Sequence, residues 1–317
     1  MSNKYLSVTI VLLGLLLGGC SKQEEAGPAA VEPASLDAAQ TVEAQAAALR
    51  KGDLLGFLNL ALPPERFQEM KARWPERIKQ DPATEEEKRE FAEAMAKMTA
   101  EGAEEKLFAE LEPQLAKAEA EMGAQLPLMV GMGRGFAVQA INQSEQLSGE
   151  QKQQAVQFVD AFARWIESAQ PFDRERARKA LASMVATARK LGIKTLDEVE
   201  AMDFETAMRK AGEVYLGVRD VLKVYGLDLD AALASVQAEV KSAEGDQAVV
   251  VVRYTLFDQP LSFETRMTRR EGRWYGSEAL REFERVAKAE ASGGSATTAA
   301  EAGVEKEPEP APVAPGR

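Results

Sequence analysis

"AVVVVRYTLFDQPLSFETRMTRREGRWYG", residues 248–276, decides the fold class. Its Val, Thr, Tyr and Phe content marks strands, and its breaks fall at turn-forming residues. Strands at 248–257 and 261–270 flank a connection at Asp258–Pro260, and a third at 273–276 follows Glu271-Gly272. Just upstream, Val236, Ala238 and Val240 alternate with Gln237, Glu239 and Lys241, and "AEGDQ" (243–247) turns the chain. If Leu256 faces Leu261, Tyr254 meets Phe263, Val250 meets Met267 and Arg253 meets Glu264. A two-residue turn at Glu271-Gly272 then puts Trp274 on the same apolar face, which a one-residue slip would expose. The expectation is a three- to four-stranded antiparallel sheet over 236–276.

Before the sheet the period is helical. Ser35 is placed to cap a helix reaching about Lys51, with Leu36, Ala39, Val42, Ala46 and Leu49 on one stripe. Leu54–Leu62 follows as a short helix, and Glu65–Trp74 as a further turn or two. Thr84 with Glu87 and Ser148 with Gln151 are capping boxes, and Thr195 pairs with Glu198 in the same pattern. Asp173 and Asp203 start further helices, Gly192 stops one, and Pro113 demands a kink or break in 103–122. Phe158, Val159, Phe162, Trp165 and Ile166 share a face read as core, as do Ala177, Leu181, Met184, Val185 and Ala188. Short links predict antiparallel neighbours. The fold class is therefore α+β, mostly α: a helical bundle followed by a small antiparallel sheet, in one body at 35–288.

"QLPLMVGMGRGFAVQAI" (125–141) is the most apolar stretch after residue 20. Its three glycines do not make a dinucleotide fingerprint, because Phe136 stands where the last glycine is needed, and the lysine and hydroxyl of a phosphate loop are missing. Burial against other helices is expected, with a membrane-dipping hairpin as the alternative.

The chain opens with a weakly positive head and a 12-residue uncharged, mostly apolar run, Leu6–Leu17. About 20 apolar residues are needed to span a bilayer, so the run fits the core of a signal peptide. Leu17-Gly18-Gly19-Cys20 ends it, and Cys20 is the only cysteine in 317 residues. The four residues resemble the bacterial lipobox. That resemblance implies cleavage after residue 19, lipid on the Cys20 thiol and acylation of the new amine. Ser21 at the next position implies sorting to the outer membrane. Two or more acyl chains anchor firmly where one binds only marginally. Residues 20–34 then read as a polar, Pro-containing tether and 289–317 as a solvated Pro/Ala/Glu-rich tail.

The chain has 39 Lys and Arg against 51 Asp and Glu, a net charge of −12; loss of Lys4 with residues 1–19 makes it −13. Such a surface repels nucleic acid. With no histidine there is no Ser-His-Asp triad, no Cys-His pair and no imidazole metal site. Asp228 and Asp230 lack the further ligands of a calcium loop and read as a helix cap, and the acids at 85–87 and 104–105 suit helix starts. No catalytic residue, metal ligand or cofactor site is assigned. Arg253, Arg266, Arg269, Arg270 and Arg273 are the candidate contact for an anion or an acidic partner, weighed against a solvated sheet face with edge charges.

A helix followed by "KGDLLGFL" (51–58) and a meander ending in "EGRWYG" (271–276) resembles the nuclear-transport-factor-like fold over 36–62 and 236–276. That resemblance implies a cone-shaped α+β unit, found in uncharacterised lipoproteins, ligand-binding proteins and some enzymes. No catalytic motif of the family matches. The expected function is that of a non-enzymatic, lipid-anchored periplasmic module that contacts an envelope protein or serves as a scaffold. The alternative is a binding protein for a small or lipidic ligand held between helices and sheet.

Overall fold

The structure, a computed structural model, describes residues 36–80, 82–145 and 147–291, with side chains to 285. Cys20, the expected signal and tether regions, Ser35 and the expected tail after 291 lie outside these residues.

The body begins with α1 (Ala38–Lys51), whose N-cap is Asp37 rather than Ser35; the Asp37 carboxylate accepts from Gln40 N–H at 2.8 Å. Short α2 (Leu54–Ala61) follows. Next is α3 (Pro64–Gln80), a 17-residue helix running through Pro75 where only a turn or two was expected. The bundle continues with α4 (Glu85–Thr99) and α5 (Ala103–Met122), the latter unbroken at Pro113. Then come α6 (Leu126–Gln143), α7 (Gly149–Ala169), α8 (Arg174–Leu191), α9 (Leu196–Glu200), α10 (Phe204–Val224) and α11 (Leu229–Ala234). The predicted caps at Thr84, Ser148, Asp173, Thr195 and Asp203 all accept backbone N–H bonds, and left-handed Gly192 closes α8. Asp228 caps α11, as read.

Four strands, β1 (Gln237–Glu244), β2 (Gln247–Leu256), β3 (Gln259–Arg270) and β4 (Arg273–Gly276), form an antiparallel meander in chain order. The predicted β2–β3 register is off by two residues. Leu256 faces Gln259, Tyr254 faces Leu261, Val252 faces Phe263 and Ala248 faces Met267. Pro260 belongs to β3, and the turn is the tighter pair Phe257-Asp258, both left-handed (φ 53° and 57°). Such primed two-residue turns match the strand twist. Since the slip is even, every side chain keeps its face. Val250, Val252 and Met267 are fully buried on the apolar face, packed with Val42, Ala46, Leu49 and Phe57 of α1 and α2. Trp274 joins this cluster as predicted. Arg253 does not meet Glu264: it pairs with Glu239 on β1 at 2.9 Å, and Lys241 takes Glu264.

In the bundle, α8 packs against α4, α5 and α10, while α10 reaches back to α2 and α11. Two glycines permit the α10 crossings. A Cβ on Gly212 would lie 2.1 Å from the Gly52 carbonyl oxygen, and one on Gly217 would lie 2.2 Å from Thr187 Oγ1. Helix α7 bridges to the sheet: Ala161 and Phe158 pack with Leu256 and Leu261 in a second cluster. Its predicted apolar face is only half-buried, Phe162 is exposed, and Met184 of α8 is also exposed rather than inward.

The chain divides after Gly276, and α12 (Ser277–Ala291) belongs to the second unit. It extends three residues into the expected tail and is laced by Arg281–Glu278 and Arg285–Glu282 pairs one turn apart. Among the described residues no helix is long and apolar enough to cross a membrane.

Burial pushes the Tyr254 phenol up to about 12 from its ordinary 10. The folded chain therefore holds a proton that the unfolded chain releases above pH 10. Stability is complete below pH 10 and is lost as pH rises from 10 through 12. Alkaline unfolding followed by phenolate absorbance is expected to move to higher pH in Tyr254→Phe; an unchanged midpoint would show that this phenol is not what limits alkaline stability.

Candidate functional site

The five arginines do not form one site. Arg270 and Arg273 are paired across the β3–β4 hairpin, and Arg266 shares their face by strand alternation. Arg269, one residue out of phase, sits opposite Trp274 on the other face. Arg253 lies opposite Ser262, four residues along β3 from Arg266, and is neutralised by Glu239. Arg273 donates to the Asn59 carbonyl and lies over the Tyr275 ring, tying β4 to the end of α2. Arg266 and Arg270 also have interaction partners. The arrangement is that of edge charges engaged locally: Arg253, Arg266, Arg270 and Arg273 share one side of the sheet, with Arg253 set apart toward the far end of β3 and only Arg269 on the other side.

Two clefts stand out among the described residues. One, of about 630 Å³, lies between α3 and the α9–α10 connection, with Trp74, Ile78 and Phe204 as its apolar wall. Trp74 Nε1 donates to the Met202 carbonyl at 3.0 Å, and Trp74 and Phe67 both meet the Phe204 ring edge-on. The acids here have structural work. Glu205 is held below the usual carboxylate range by its hydrogen bond from Lys71, and Asp203 by the Thr206 N–H it caps. Both are ionised at neutral pH, so neither is a proton donor there. The other cleft, of about 610 Å³, lies between the α5–α6 and α7–α8 connections, with Leu126, Pro127 and Phe172 in its wall. Among the described residues no group of three or more Asp, Glu, Cys or His could hold a metal ion.

The surface that departs most from an ordinary globular one is α6. It was expected to be buried, yet no residue in it is. Leu128, Met129, Met132 and Phe136 are 67, 56, 54 and 67% exposed. Among the described residues, a Cβ added to Gly131, Gly133 or Gly135 would meet no atom within 4 Å, so no close helix approach there explains these glycines. Half-buried Val130, Ala137, Val138 and Ile141 make the opposite arc, and Arg134 anchors the helix to Asp160 of α7 at 2.7 Å. The same hydrogen bond and charge raise the Arg134 pKa. The sequence shows a helix apolar on all sides, which normally means burial on all sides; only the fold shows that α7 covers one arc.

Neither a family model, nor a curated protein, nor a solved structure matches this chain.

Proposed function

We propose that this protein is a lipid-anchored module of the bacterial envelope, attached to the outer membrane through Cys20, facing the periplasm and acting by non-enzymatic interaction or scaffolding. Support for the anchor is the Leu6–Leu17 run ending in Leu17-Gly18-Gly19-Cys20. The observation that carries the interaction reading is the bare apolar face of α6, since contiguous exposed apolar surface of this kind marks an interaction site. The α1–sheet interface favours this reading over a ligand held there, because Val236, Val250, Val252, Ala46 and Leu49 fill it. The fold proposed for this module is nuclear-transport-factor-like, supported by α1 lying on a four-stranded meander.

Metabolic labelling with an alkyne fatty acid tests the anchor. The wild-type chain is expected to take up label and sediment with membranes, and Cys20→Ser to take up none. A free Cys20 thiol on a soluble product would overturn the location.

A further inference from the structure

We propose that α6 is the contact by which two copies of this chain associate about a two-fold axis. The inference deepens the reading of α6 as an interaction surface by naming its occupant. Of ten large apolar side chains exposed among the described residues, five fall between Met122 and Phe136, so the apolar surface is concentrated here. Three solvent-facing glycines add a helix cost that no contact among the described residues offsets.

Charge selects the occupant. From Gly123 to Ser144 there is no Asp or Glu, in a chain with 51 acids and a net charge of −12. The single charge, Arg134, is already matched by Asp160. Self-association of so acidic a chain opposes like charges on average, whereas this stretch joins neutral to neutral. Helices that lie in lipid headgroups carry Lys and Arg on their polar face, whereas α6 has no Lys and a paired Arg. Area agrees: at about 200 Å² for a fully exposed large side chain, Leu128, Met129, Met132 and Phe136 present on the order of 500 Å² per copy. Backbone contact at Gly131 and Gly135, spaced i,i+4, brings this toward the roughly 800 Å² per partner of a standard interface. A two-fold contact is self-complementary and closes, so it does not propagate into fibres.

The test is thiol cross-linking of the full chain, produced with its N-terminal segment in a bacterial host. Met132→Cys is expected to give an oxidant-dependent species of twice the chain mass. Val214→Cys, also exposed but on α10, is expected to stay single. Adding Phe136→Glu to Met132→Cys should lower cross-linking at least tenfold while leaving the circular-dichroism melt of the reduced protein in place. The wild-type chain controls for Cys20, and a cross-link there would instead count against the lipid anchor. If the introduced thiol stays single and reacts freely with a water-soluble maleimide, the second copy and the interaction reading of α6 both fall. If it stays single but is shielded, lipid or another protein covers α6: the second copy falls and the interaction reading stands.

Discussion

Gly212→Ala is expected to destabilise the body by about 3 kcal/mol or more, read as a lower urea midpoint with an unchanged slope. The added methyl would lie 2.1 Å from the Gly52 carbonyl oxygen, and this obstacle is backbone rather than the end of a flexible side chain. Gly52 cannot easily yield. It closes α1 in the left-handed region (φ 71°), where side chains are disfavoured, and its N–H caps α1 by bonding to Ala48 and Leu49 carbonyls. Arg219 of α10 adds to the junction by donating to the Arg50 carbonyl at 2.7 Å and pairing with Asp230. Relief of the clash therefore means sliding α10 along the end of α1, which disturbs several contacts together. Gly149→Ala is the control, because a Cβ there meets nothing within 4 Å; its effect is expected within about 0.5 kcal/mol. Equal effects at the two positions would mean that α10 does not cross Gly52 this closely.

Val250→Asp carries the second large effect, about 4 kcal/mol or more at neutral pH. Val250 is fully buried in the cluster that joins β2 and β3 to α1, so a carboxylate there would sit among Ala, Val, Leu, Phe and Met side chains. Desolvation would raise the introduced carboxyl above its unfolded value of about 3.9. The penalty is then full above the raised folded value and disappears as pH falls below the unfolded one. Stability of the variant relative to wild type should accordingly recover on acidification. Val249→Asp makes the contrast: it lies on the other face, half-exposed and directly opposite Arg266, and should cost no more than about 1 kcal/mol. Reversed sensitivities would mean that the sheet presents its other face to α1.

These two substitutions differ in how far the chain announces them. Period-two patterning, read locally, already places Val250, Tyr254 and Met267 on one face, and the structure agrees although the register moved by two. The slip arose because Pro260 reads as a loop residue, whereas the left-handed pair Phe257-Asp258 closes a shorter turn. Alternation also separates Arg269 from Arg266 and Arg270, so that part of the arginine geometry was legible before any fold was known. Nothing local marks the meeting of Gly52 and Gly212, which are 160 residues apart.

By itself the sequence determined the helical body, most of its caps, the antiparallel sheet and the face that sheet buries. It also excluded histidine chemistry. Each of these depends on a residue and its neighbours within a few positions: a hydroxyl or carboxylate reaching an N–H one turn on, or side chains repeating at 2 or 3.6 residues. Tertiary structure alone decided that α10 crosses the end of α1, that Arg253 answers Glu239 and that α6 is covered on one arc. Those outcomes depend on which distant segments share space, and hydrophobicity is non-directional: an apolar stretch such as 125–141 records that cover is favourable, while the placement of the other helices decides how much of it the chain supplies.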